Sequence, residues 1–220
     1  GSGMDINQAI EMAIARKGTF NVVALQSSYS AKMSAITLED KARLASSIDT
    51  PFDDRRKVYQ TVYNHMEEMS LPRKPDFDTF LKMTSYYDVD TLLYGIYSQT
   101  YPDESEFTVS CNECKSPVDV GVSPQRLLVV RDKDAFAQVQ EILGSIDDPA
   151  ELISKSLVNT VTRIILPESK VVVDLEVPSL KSHLGLLKSF NDKTQNEVRA
   201  IVSLLLFIKQ IMVPDMKRIE

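Results

Sequence analysis

Cys111-Asn112-Glu113-Cys114 is the one short motif in this chain whose residue types and spacing could do chemistry. Two thiolates three positions apart, at the tip of a hairpin, can chelate one zinc ion in a knuckle. A structural zinc takes four ligands, and a zinc ribbon completes them with a second Cys pair. This sequence holds no further Cys, and its other soft ligands are His65 and His183. His183 falls between Leu180, Leu184 and Leu187, and His65 beside Val62 and Met69. Both spacings predict histidines packed on apolar stripes. Cys111 and Cys114 are therefore read as a knuckle held by backbone hydrogen bonds, with no metal or cofactor committed. They stay weak zinc candidates, with the remaining ligands drawn from the same chain or from a neighbouring subunit. A redox Cys-x-x-Cys opens a helix, whose dipole lowers the thiol pKa. This one sits between strands, which argues against redox catalysis.

Other chemistry has thin support. There is no Gly-rich phosphate loop and no Gly-x-Ser-x-Gly elbow. With both histidines on apolar stripes, a Ser/His/Asp or Cys/His site is disfavoured. The carboxylate pair Asp53/Asp54 reads as helix-start charge and Glu67/Glu68 as helix-surface charge. In the pair Asp88/Asp90, Asp88 reads as a helix cap. No catalytic residue is assigned. The aromatic set Tyr86, Tyr87, Tyr94, Tyr97 and Tyr101 is the better pointer, because tyrosine joins an apolar body to a polar tip and is enriched at protein interfaces. These five are the interface candidates, with core packing as the competing account of most of them.

The elements that must position these residues follow from periodicity. Residues 5–16 suit a short helix and 20–26 a strand, while 27–36 are rich in Ser and Ala. Residues 4–49 are read as an N-terminal arm or a loosely packed subdomain. Thr50-Pro51-Phe52-Asp53 then supplies an N-cap hydroxyl, a proline at the first helical position and acids at the positive end of the dipole. Phe52, Tyr59, Val62, Tyr63, Met66 and Met69 recur at helical spacing, so a helix is predicted over 51–69, ended by the prolines at 72 and 75. A short helix over 77–84 follows. Asp88 caps the next, with Val89, Leu92, Leu93, Ile96 and Tyr97 as its stripe. The period then changes to two, predicting a hairpin near 106–122 around the Cys motif. Two helices precede a second hairpin near 160–177, whose first strand could instead prolong the preceding helix, and helices over 180–190 and 194–212 close the core that begins at residue 50. The fold class is α+β, mainly helical, with two small β-hairpins, one carrying the Cys-x-x-Cys knuckle.

Composition narrows the function classes. The chain has 220 residues, 25 Lys plus Arg against 31 Asp plus Glu, and a net charge of −6. A protein that coats nucleic acid is disfavoured, since phosphate contacts need positive charge. Between Asp76 and Asp119 nine acids face two bases, so this fifth of the chain carries −7. That stretch reads as a solvated face or as a means of steering toward a basic partner. Gly1-Ser2-Gly3 reads as a scar of tag removal, and no secretory leader follows Met4. The most apolar stretch, Val198 to Val213, is shorter than the roughly 20 residues of a membrane span and is read as a buried helix.

At this point the order of elements carries a resemblance. A capped helix precedes Tyr87-Asp88-Val89-Asp90-Thr91-Leu92-Leu93-Tyr94-Gly95-Ile96-Tyr97, then Phe107-Thr108-Val109-Ser110-Cys111-Asn112-Glu113-Cys114, then Val118-Asp119-Val120. This resembles the baseplate hub and hub-assembly proteins of T-even-type contractile-tailed bacteriophages, in which an acidic helix with a Leu-Leu pair leads into a Cys-x-x-Cys hairpin. The later strand, the Pro-led helix and the long apolar helix also fit, so the resemblance spans about 50–213. It implies a virion or tail-assembly protein, built in the host cytoplasm and lodged in the baseplate. Its partners would be other baseplate or tail proteins, with no nucleic acid, membrane or small molecule, and no catalysis. The alternatives are a zinc-knuckle binding module in a nucleic-acid-processing complex and an enzyme of unrecognised type.

Overall fold

Apolar residues recur at every second position along Thr19–Ala24 (β1) and Tyr29–Ser34 (β2), and the two strands pair antiparallel with Phe20 opposite Met33, Val22 opposite Ala31 and Ala24 opposite Tyr29. Five of these six side chains are fully or almost fully buried, and Phe20 is packed against them. Residues 19–34 of the segment that the sequence leaves as an arm or a loose subdomain thus lie at the centre of the core, while the helix expected over 5–16 lies outside the described residues. The computed structural model describes residues 18–46, 50–101, 105–110, 117–122, 133–156, 158, 160–189, 201 and 205–214.

Helix α1 (Leu38–Ala45) starts with a capping box between Thr37 and Asp40. Helix α2 (Pro51–Asn64) starts as predicted, with the Thr50 hydroxyl accepting from the Asp53 N–H and Pro51 at the first position. It does not reach residue 69. His65 leaves the helical region, and Met66–Met69 become a third strand, β3, on the edge of β2. The apolar stripe suits both states, and the open hydrogen-bonding edge of β2 decides between them. Glu67 and Glu68 are therefore strand residues facing solvent, and Lys32 on β2 pairs with Glu68 at 2.9 Å.

Helices α3 (Phe77–Met83) and α4 (Val89–Thr100) follow, joined by a single 3-10 turn at Tyr86–Asp88. Strands β4 (Ser105–Ser110) and β5 (Pro117–Val122) form the predicted antiparallel hairpin. The intervening Cys111 and Cys114 lie outside the described residues. Helix α5 (Lys133–Gly144) leads to α6 (Pro149–Lys155), which is capped by the Asp148 carboxylate. Strands β6 (Val161–Ile165) and β7 (Val172–Glu176) make the second predicted hairpin, and α7 (Leu180–Lys188) follows it.

The last predicted helix, 194–212, is corrected by the structure at its end, while 194–200 and 202–204 lie outside the described residues. Ile208–Met212 is a strand, β8, paired antiparallel with the second edge of β7. Among the described residues the first expected hairpin stays a two-stranded sheet, the second gains β8 to become the three-stranded β6-β7-β8, and a further three-stranded antiparallel sheet, β1-β2-β3, is unexpected from the sequence. The class is α+β. One apolar cluster joins the first sheet to Tyr59 and Val62 of α2, Phe80 of α3, Leu92 and Ile96 of α4 and Leu180 and Leu184 of α7. Among the described residues no helix is long and apolar enough to cross a membrane.

Candidate functional site

Helix α4 has two faces of opposite character. Its inner face carries Val89, Leu92, Gly95 and Ile96, all buried against the sheet. A Cβ on Gly95 would lie 2.7 Å from Met33 Cγ and 2.8 Å from Val22 Cγ1, so only glycine lets the helix sit this close to β1 and β2. The outer face carries Tyr94, Tyr97 and Tyr101 at intervals of three and four, the spacing of neighbours on a helix. Their rings form a continuous row, with centroids 6.5 Å apart for Tyr94–Tyr97 and 5.2 Å for Tyr97–Tyr101. Phe20 meets Tyr94 edge-on at one end, and the Lys41 ammonium lies 5.8 Å from the Tyr101 ring at the other. Tyr97 and Tyr101 are each 49% exposed.

The other two interface candidates belong to a different cluster. Tyr86 is half-buried against His183, at 4.7 Å between centroids. Tyr87 stacks on Phe207, just ahead of β8, at 5.4 Å. The five tyrosines are thus one surface row of three and one pair that leans toward the β6-β7-β8 sheet.

That sheet is the most unusual surface described. Every residue of β6 is exposed. Register places Ile164, Val173 and Ile211 in one row across the three strands, and Ile165, Val172 and Met212 in the next. Adjacent rows point to opposite faces of a sheet, so both faces carry apolar side chains. Ile164, Ile165 and Ile211 are 42%, 60% and 54% exposed. Of the fifteen exposed large hydrophobics among the described residues, nine fall between Val161 and Val213. Soluble monomers seldom leave so much contiguous apolar surface in water. The Val198–Val213 stretch, expected to be a buried helix, supplies part of it: Phe207, Ile211 and Val213 are exposed.

Polar groups do a different job. Asp88 is expected to cap α4, yet its carboxylate makes no cap bond. It is buried and accepts from the Ser27 N–H at 2.7 Å, the Ser27 hydroxyl at 2.6 Å and the Gln26 N–H at 3.3 Å. Burial raises its pKa, against the lowering effect of those bonds. The Ser27 hydroxyl accepts from the Ser85 N–H at 2.7 Å, so the β1–β2 turn is knotted to the start of α4. His183 is buried as predicted, with Nδ1 2.6 Å from the Tyr59 hydroxyl. Burial, with the Arg55 charge nearby, pushes its pKa down to about 4.

His65 is buried too, but not on an apolar stripe alone. Its Nδ1 lies 2.8 Å from the Ser34 hydroxyl, and its Nε2 is hydrogen-bonded to Asp40. The three residue types of a nucleophilic triad meet here, an arrangement that the sequence disfavours and that positions 34, 40 and 65 do not advertise. The ring atoms are used in the reverse sense to the serine-hydrolase pattern, in which Nε2 faces the serine. Asp40 also accepts from the Thr37 hydroxyl at 2.8 Å and from Arg43 at 3.2 Å. Burial opposes its ionisation, but the Thr37 and His65 hydrogen bonds outweigh that and hold its pKa down to about 2. The chain of bonds braces α1 against β2 and the end of α2.

Among the described residues no group of three or more His, Cys, Asp or Glu could hold a metal ion. No family model, curated protein or solved structure matches this chain.

Proposed function

We propose that this chain is a structural or assembly component that works by protein–protein contact. The setting implied by its resemblance is the baseplate hub region of a contractile phage tail. The observation that carries the contact reading is the β6-β7-β8 sheet, whose apolar rows are open to water on both faces. Removing such surface from water is favourable by about 25 cal/mol per Å², from which the cost of association is subtracted. A sheet exposed on both faces suits insertion into a cleft of a partner or between two partners. The tyrosine row on α4 supports the same reading, with polar tips for specific hydrogen bonds and ring faces for apolar contact.

Mass-spectrometric detection in purified virions and in tail-assembly intermediates tests the setting. Presence in either, together with co-purifying baseplate proteins, is the expected result, and absence from both would overturn it. For the contact reading, the double variant Ile164→Lys/Ile211→Lys should fold normally and fail to co-purify with those proteins. Retained co-purification would reject the sheet as the contact.

A further inference from the structure

A second surface has the opposite chemistry. Helices α2, α3 and α7 enclose a cleft of about 240 Å³. Its walls carry two rings, Phe52 and Phe77, and three cations, Arg56, Lys181 and Lys188. Arg56 lies over Phe77 at 5.5 Å and Lys188 over Phe52 at 4.8 Å. Among the described residues neither of these two cations has an acidic partner. The one acid in the lining, Asp78, is already shared between Lys181 at 2.8 Å and Lys82 at 2.7 Å. The cleft is therefore a positive, partly apolar recess in a chain whose net charge is −6.

Gly185, inside α7, lines the same cleft. Glycine weakens a helix interior, and here packing does not require it. A Cβ at this position would meet nothing within 4 Å, and the backbone is not left-handed. What the missing side chain does is keep the recess open.

We infer that this cleft receives a short acidic segment of a partner protein, one carboxylate facing Arg56 and Lys188 and an adjoining apolar side chain lying against Phe52 and Phe77. Charge complementarity selects the anion. The small volume admits one or two side chains rather than a run of nucleotides, and Asp78 together with the overall negative charge repels a polyanion. The inference rests on the contact reading only in that the occupant is a protein segment, and the cleft shares no residue with the β6-β7-β8 sheet.

The test is an array of short peptides probed with the full chain. One set carries Asp or Glu beside Phe or Leu, a second the same sequences with Asn or Gln, and a third Lys. Inorganic phosphate and a single-stranded oligonucleotide serve as competitors. The acidic set should bind in preference to the other two. Arg56→Gln/Lys188→Gln should weaken that binding about tenfold or more, as loss of two charge-assisted contacts implies. Gly185→Leu should block it while leaving the thermal unfolding midpoint unchanged or raised. Ile164→Lys/Ile211→Lys should leave it intact, which separates failure here from failure of the sheet. Equal binding of all three peptide sets, wild-type binding by both cleft variants, or displacement by the oligonucleotide at lower concentration than by free acidic peptide would overturn the inference.

Discussion

The β1-β2-β3 sheet and the β6-β7-β8 sheet have the same size and the same antiparallel order, yet they treat apolar side chains in opposite ways. The first buries Val22, Ala24, Tyr29, Ala31 and Met33 under α4, close enough to demand Gly95. The second leaves Ile164, Ile165 and Ile211 in water. Strand propensity runs the other way, since the exposed sheet is the richer in Val and Ile, so it does not set the difference. What differs, among the described residues, is whether a helix covers the sheet. A β-strand records that it wants a cover and does not say whose.

This contrast makes graded predictions. The largest effect belongs to the covered sheet. Asp88→Ala strips three hydrogen bonds from the β1–β2 turn and leaves buried donors unpaired, so unfolding in urea should show a loss of about 3 kcal/mol. Gly95→Ala comes next. Its methyl group collides with Met33 and Val22, and overpacking outweighs the gain in helix propensity, for a net loss of about 2 kcal/mol by the same measurement.

The third effect is a pH dependence. The folded-state pKa of His183 lies below its unfolded value, so between about 4 and 6.5 the unfolded chain binds more protons. Stability is then complete above pH 6.5 and declines on acidification through that window. Between pH 7.5 and 5.5 the loss attributable to this residue should be about 1 kcal/mol. His183→Gln should flatten that slope, and an unchanged slope would assign it elsewhere. The smallest effect is on the open sheet. Ile164→Lys, or Ile211→Lys, should shift stability by less than about 0.5 kcal/mol, because these side chains gain little from folding alone. A loss of 2 kcal/mol there would mean that the chain covers this sheet itself and would erase the contrast.

Local chemistry made much of the fold readable. The Thr50-Pro51 start of α2, the Asp148-Pro149 start of α6 and the period-two strands β4, β5 and β7 are set by residues a few positions apart, whereas the β6 sequence suits a continued helix as well. Strands β2, β3 and β8 carry no decisive local strand signal of their own. Tyr29–Ser34 is rich in small residues, Met66–Met69 continues a helical stripe, and Ile208–Met212 follows an apolar run that suits a helix. β2 is fixed by the hairpin it makes with β1, and β3 and β8 each by a strand more than thirty residues earlier in the chain. The surface was readable to the same degree. Tyr94, Tyr97 and Tyr101 share a helix face by spacing alone. The link from Asp88 to Ser27 spans 61 residues, and the cleft draws Arg56, Lys181 and Lys188 from opposite ends of the core, so no local pattern announces either.

The knot at Asp88 also bears on the order in which the molecule can take shape. The β1–β2 hairpin leaves the ribosome early, but the carboxylate that fastens its turn, the α4 face that covers it and the leucines of α7 that close the core are synthesised later. Contacts of such long range are slow to form. The earliest-made part of the core is thus among the last to be secured, and a nascent chain interrupted before α4 would display Val22 and Met33 to any chaperone waiting at the exit.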